Sequence, residues 1–169
     1  MSRPSVSYFA AAAVVIAGLA GLVRGAVPQQ SAAPAPASSG PGIVIGSAYV
    51  RQPANLINAA AYFTVYNTTD QPDTLTTVDS GAGAQTTLHV EDASGAMSAN
   101  AAGLTVPAHG SASLVPGKGH VMIEKLYGRL LAGQTVNLSL TFAHAGQILV
   151  TVPVIGVTAP APTPGGTPK

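Results

Sequence analysis

Cysteine is missing from all 169 residues of this chain. That absence removes disulfides, zinc–thiolate sites, iron–sulfur clusters, a thiol nucleophile and a cysteine-linked lipid anchor in one stroke. Charge is scarce as well: only 8% of residues are Asp, Glu, Lys or Arg. Beyond Arg24, five basic residues (Arg51, Lys118, Lys125, Arg129 and Lys169) stand against six acidic ones. They form no basic patch, so nothing favours a nucleic-acid partner. Carboxylates are too sparse for a paired-acid glycosidase site. There is no GxSxG elbow and no phosphate-cradling glycine loop. No enzymatic activity is expected.

What the chain has in abundance is turn formers, with 19 Gly and 14 Pro. Together with the low charge, they favour many short strands over a helix bundle. Residues 1–26 read as a secretory signal peptide or an N-terminal signal anchor. Arg3 precedes the uncharged run Tyr8–Val23, which is 16 residues long. A bilayer-spanning helix needs roughly 20 apolar residues, so this run is closer to a signal-peptide core. An uncleaved helix would be the chain's one attachment to a membrane. In either case the body of the protein is expected outside the cytoplasm, in the periplasm, in the cell envelope or secreted.

Residues 27–42 (VPQQSAAPAPASSGPG) are rich in Pro, Ala and Ser and read as a flexible linker. Residues 158–169 read as a disordered tail. Between them, residues 43–157 are expected to form one domain. Alternation and β-branched clusters predict strands at Ile43–Val50, Ala60–Asn67, Thr74–Val78, Gln85–Asp92, Leu104–Val106, Ser111–Val115, His120–Leu126, Thr135–Phe142 and Gln147–Val154. Ser94–Gly103 reads as a loop. The expected fold is all-β, an antiparallel Greek-key sandwich of cupredoxin-like or immunoglobulin-like type with eight or nine strands.

Four histidines and two methionines are the only soft or borderline metal ligands in this domain. Residues two apart on a strand share a face, so His120 and Met122 place an imidazole beside a thioether. His89 lies on another predicted strand, and Met97 in the loop after it. Two imidazoles and two thioethers make a neutral, soft donor set that suits Cu(I) better than zinc or magnesium. Thioethers carry no proton to lose, so they keep binding in acid. Spacing alone also admits a plainer reading, in which the histidines are polar surface residues and the methionines fill the core. His109 and His144 sit in turns and read as solvated. Glu91 and Glu124 share faces with His89 and His120, as imidazole partners or as solubilising rim residues. Lys118 is expected to shape the turn before His120.

Six segments occur in an order that resembles one known family. They are AYFTVYN (Ala61–Asn67), QPDTL (Gln71–Leu75), LHVED (Leu88–Asp92), LVPGKGHVMIEKL (Leu114–Leu126), LLAGQTVNLSLTF (Leu130–Phe142) and AGQILVTVPV (Ala145–Val154). From about Ala48 to Val154 the chain resembles the periplasmic copper chaperones of the PCu(A)C family. The family's ligand pattern is a His, a Met, and then His-x-Met after a Pro-Gly turn. The resemblance therefore implies a copper site made of His89, Met97, His120 and Met122. It further implies delivery of one Cu(I) to an acceptor, such as a cytochrome oxidase subunit or another copper chaperone. One spacing departs from the family: 22 residues separate Met97 from His120, one more than usual. That makes Met97 the last-ranked ligand. Two alternatives remain, a copper-sequestering or resistance protein and a metal-free surface module.

Overall fold

A computed structural model describes residues 38–163. The expected signal segment (1–26), residues 27–37 of the expected linker and residues 164–169 of the expected tail lie outside the described residues. Eleven strands run in chain order. They are β1 (Ser38–Gly40), β2 (Ile43–Arg51), β3 (Asn58–Asn67), β4 (Asp73–Ser80), β5 (Gly83–Glu91), β6 (Met97–Ala99), β7 (Leu104–Val106), β8 (Ser111–Leu114), β9 (Gly119–Leu126), β10 (Thr135–Phe142) and β11 (Gly146–Ile155). The described residues contain no helix.

The strands follow the order β6-β5-β9-β3-β2-β11-β10-β4-β7, with β1 against β2 and β8 against β3. This curled sheet folds into two layers, confirming the expected sandwich. Its core comes from the inward positions of alternating strands. Ala59, Ala61, Phe63 and Val65 of β3 face inward with Val121 and Ile123 of β9. Opposing them are Val136, Leu138, Leu140 and Phe142 of β10 and Ile148, Val150, Val152 and Val154 of β11. Burying each such Val, Leu, Ile or Phe contributes about 1.5–3 kcal/mol, so the two-residue period fixes which face each side chain takes.

Three features differ from the sequence expectation. β6 occupies part of the segment expected to be a loop; it has three exposed residues and is recruited by its backbone pairing to β5. β1 starts within the expected linker, because Gly42 (φ +71) lets the chain turn back and pair Ser38–Gly40 with Ile43–Ile45. The pairing is also not wholly antiparallel. Val154 and Ile155 of β11 run parallel to Val50 and Arg51 of β2 and close the two layers together.

Strand directions sort the remaining loops into two ends. Residues 52–57, 81–82 and 127–134 and the segment after Ile155 lie at one end. Residues 68–72, 92–96, 107–110 and 143–145 lie at the other.

Candidate metal centre

The site grows from an irregularity on one flank of β3. Leu114 of β8 is opposite Phe63, and Val121 of β9 is opposite Ala61. Residues 115–120 therefore leave the flank and return while β3 advances by the single residue Tyr62. Gly117 (φ +86) makes the turn. The Lys118 and Gly119 N–H groups donate to the Val115 carbonyl at 2.9 and 3.1 Å. Gly119 then passes close to β5: a Cβ there would lie 2.8 Å from Leu114 and 3.0 Å from the His89 carbonyl oxygen. A side chain there would crowd Leu114 and the β5 backbone, and the glycine lets β9 pair closely with β5 so that His120 faces His89 across the ladder.

Cross-strand partners share a sheet face. His89 and His120 accordingly project together from the outer face, with ring centroids 5.1 Å apart. Met122 lies two residues along β9 on the same face, opposite Thr87 of β5 and Ala60 of β3. Met97 is opposite Glu91, and the residue facing His89 is Ala99. Met97 is therefore a diagonal neighbour of His89, at a separation that a long side chain spans. It is exposed (38%) and free to fold toward the ring. All four candidate ligands thus share one face, where β9 begins and β5 ends on the outer strands of the sheet.

One member of the histidine pair is left unsatisfied. Nε2 of His120 is closed off from solvent and has no hydrogen-bond partner. Leaving such a group unpaired costs about 1–3 kcal/mol. Burial pushes the His120 pKa below its ordinary imidazole value, and the charge of His89 adds to the shift. A neutral imidazole with a free ring nitrogen is the state a metal ion requires. Among the described residues, no three His, Asp or Glu side chains converge on one point. A hard, carboxylate-rich site for magnesium or calcium therefore has no donors here.

The flanking side chains support the pair without satisfying it. Glu91 forms an ion pair with Lys118 (2.5 Å), and its N–H donates to the Lys118 carbonyl (2.9 Å), clasping the excursion to β5. The Thr87 hydroxyl donates to Glu124 at 3.4 Å. Both glutamates are thus engaged away from the imidazoles. On the other side of His120 stands Tyr62, 6.2 Å between ring centroids. Tyr49 stacks on Tyr62 at 5.1 Å, and the Arg51 guanidinium lies 5.3 Å from the Tyr49 ring centre. A bulge turns Tyr49 outward: Ser47 (φ +52) and Ala48 together face Phe63, shifting the register by one. The sequence reading put Tyr62 on a strand but did not join it to His120. Only the β3–β9 register reveals that contact.

His109 and His144 lie elsewhere, each with a carboxylate. His109 Nε2 is 2.7 Å from Asp70, with both side chains exposed. His144 Nδ1 is 3.3 Å from Asp73.

Comparison with known proteins decides the family. The profile described as "Putative lipoprotein LpqE-like" matches residues 43–154, which take in every strand but β1 and the last residue of β11. The chain belongs to the LpqE-like family. A relative in Leifsonia xyli subsp. xyli, named "Putative lipoprotein Lxx21020", is 29% identical over 85% of this chain and 87% of its own length. Among solved structures, the LpqE-like sandwich matches the copper-bound PCuAC domain from PmoF2 with a TM-score of 0.63. Identity there is 21%, over 71% of this chain and 97% of that one. CuI-DR1885 from Deinococcus radiodurans matches with a TM-score of 0.55 and 30% identity, over 64% of this chain and 74% of that one. The resemblance to PCu(A)C proteins read from the sequence motifs is thus matched by the fold of this LpqE-like domain.

Proposed function

We propose that this LpqE-like protein is an extracytoplasmic copper chaperone. It binds one Cu(I) through His89, His120 and Met122, with Met97 as a fourth donor, and passes it to an acceptor protein. The observation that carries this reading is the His89–His120 pair, with its buried, unpartnered Nε2, beside Met122 on one sheet face. Its structural neighbours include a copper-bound PmoF2 domain and CuI-DR1885 of Deinococcus radiodurans, which supports the choice of metal. Copper is cargo here and not a catalytic cofactor, so the protein is not an enzyme on this reading.

The donor chemistry suits a carrier. Imidazole and thioether are neutral, so the ion is bound without thiolate charge and can be given up to a stronger site. Met97 on β6, the outermost strand, stands at the exposed margin, where an acceptor's ligands would first meet the metal. The acceptor class that fits is a copper site under assembly, such as that of a cytochrome oxidase subunit.

Relatives carry the name lipoprotein, yet these 169 residues offer no cysteine for an acyl thioether. The apolar run Tyr8–Val23 is the proposed means of export or membrane retention.

Titration of Cu(I) against a chromogenic chelator tests the site. One-to-one binding that is lost in His120→Ala/Met122→Ala supports it, and unchanged affinity in that double variant rejects it. Transfer to an isolated oxidase copper-site domain tests the role. Copper retained against that acceptor would make the protein a sequestering one.

A further inference from the structure

The exposed large apolar residues are not scattered. Of the eight among the described residues, five (Leu56, Ile57, Tyr127, Leu131 and Val157) lie in the loops of one end. The loops that carry them are tied together. The Leu126 N–H donates to the Ile57 carbonyl at 3.2 Å, and the Ala132 N–H to the Gln52 side chain at 3.0 Å. Arg51 donates to the carbonyls of Gly156, Val157 and Ala159. Leu56, Leu131 and Val157 line one cavity of about 230 Å³ together with Arg129. Apolar groups gathered this way on loop tips mark a surface that something covers.

Charge says what covers it. Arg51, Lys125 and Arg129, three of the four basic residues described, belong to this end. The acids nearest it are Asp79 and Glu124, both on strands, and the loops themselves carry none. The opposite end has Asp70, Asp73, Glu91 and Asp92 against Lys118 alone. The molecule is therefore polarised, with its apolar loop tips at the positive pole. Tyr127 is 73% exposed there, an amphipathic ring of the kind that settles at a membrane–water boundary. Basic and apolar groups together match an anionic lipid surface, which attracts the first and takes up the second.

We propose that this end of the sandwich docks on an anionic membrane through Leu56, Ile57, Tyr127 and Leu131, with Lys125 and Arg129 facing the headgroups. The His89–His120 face stands at the side of the sandwich, so docking leaves it open to a partner. This proposal does not rest on copper binding.

Hydrogen exchange of the full chain tests it, in vesicles of phosphatidylcholine alone and in vesicles that also contain phosphatidylglycerol. Amides of residues 52–57 and 126–133 are expected to exchange more slowly only in the anionic vesicles. Lys125→Glu/Arg129→Glu should weaken that protection by more than about tenfold, since each basic residue near such a surface contributes on the order of 1 kcal/mol. Ile57→Ser/Leu131→Ser should abolish it while β3 and β10 keep their slow exchange, which shows that the fold survives. Equal exchange in both vesicles overturns the proposal. So does protection that persists in both variants, or that appears in neutral vesicles only when a soluble copper-acceptor domain is added.

Discussion

Two polar clusters in this sandwich each contain a histidine, and they are built in opposite ways. At the Asp73 corner every group has a partner. The carboxylate is 5% exposed and accepts hydrogen bonds from the N–H groups of Thr74, His144 and Ala145, with the His144 ring beside it. Burial alone would raise the Asp73 pKa. The hydrogen bonds from Ala145, His144 and Thr74 outweigh it and hold the carboxyl below its usual value. At the His120 cluster the balance is left open: Nε2 is buried and bonded to nothing, and its neighbouring glutamates bind other groups. A satisfied buried polar group stabilises a fold. An unsatisfied one lowers stability, and is retained when something else completes it. The first cluster thus reads as structure, and the second is the one proposed to be completed by copper.

Substitutions can break that contrast. The largest expected effect is on copper affinity in His120→Ala or His89→Ala. Loss of a residue behind a ligand costs about 10–100-fold, so loss of the ligand itself is expected at or beyond the upper figure. Apo stability, read by denaturant titration, should not fall in His120→Ala, because the orphaned nitrogen goes with the side chain. Asp73→Ala should do the reverse. It strands three N–H donors and is expected to lose about 2–3 kcal/mol of stability with copper affinity unchanged.

The same carboxylate sets a pH limb. Its pKa is depressed in the fold, so its stabilisation is fully present above the ordinary carboxylate value of 3.8 and is lost as pH falls through the lowered value. Acid unfolding followed by circular dichroism should accordingly be shallower in Asp73→Asn than in the wild type. Met97→Ala sharpens the contrast from the copper side. Because Met97 is a diagonal, exposed neighbour, its loss should weaken Cu(I) binding by about tenfold or less. His109→Ala should do least, since the His109–Asp70 pair is solvent-exposed and should leave copper binding unmoved.

How much of this was legible in the sequence depends on what writes each feature. The long strands are written in alternation, because a two-residue period of apolar groups has one stable solution when one face is buried. The pairing of His120 with Met122 follows from the same period. β6 has no such pattern: Met97, Ser98 and Ala99 are all exposed, and only backbone pairing to β5 makes them a strand. That is why Met97 read as a loop residue. The parallel contact between β2 and β11 joins residues about a hundred positions apart and leaves no local mark. The turn in PGKG was visible. Its consequence, six residues spent opposite Tyr62, depends on register, and so does the contact between Tyr62 and His120.

The lessons of the two clusters meet in the sulfur of Met122. Copper X-ray absorption on the protein loaded with one equivalent of Cu(I), compared with Met122→Ala, reads the donors directly. The wild type should show imidazole nitrogen together with sulfur in the first coordination shell, and the variant should lose a sulfur while keeping both imidazoles. A shell of nitrogen and oxygen alone, or one that Met122→Ala leaves unchanged, would contradict the assignment of the His89–His120 face as the copper site.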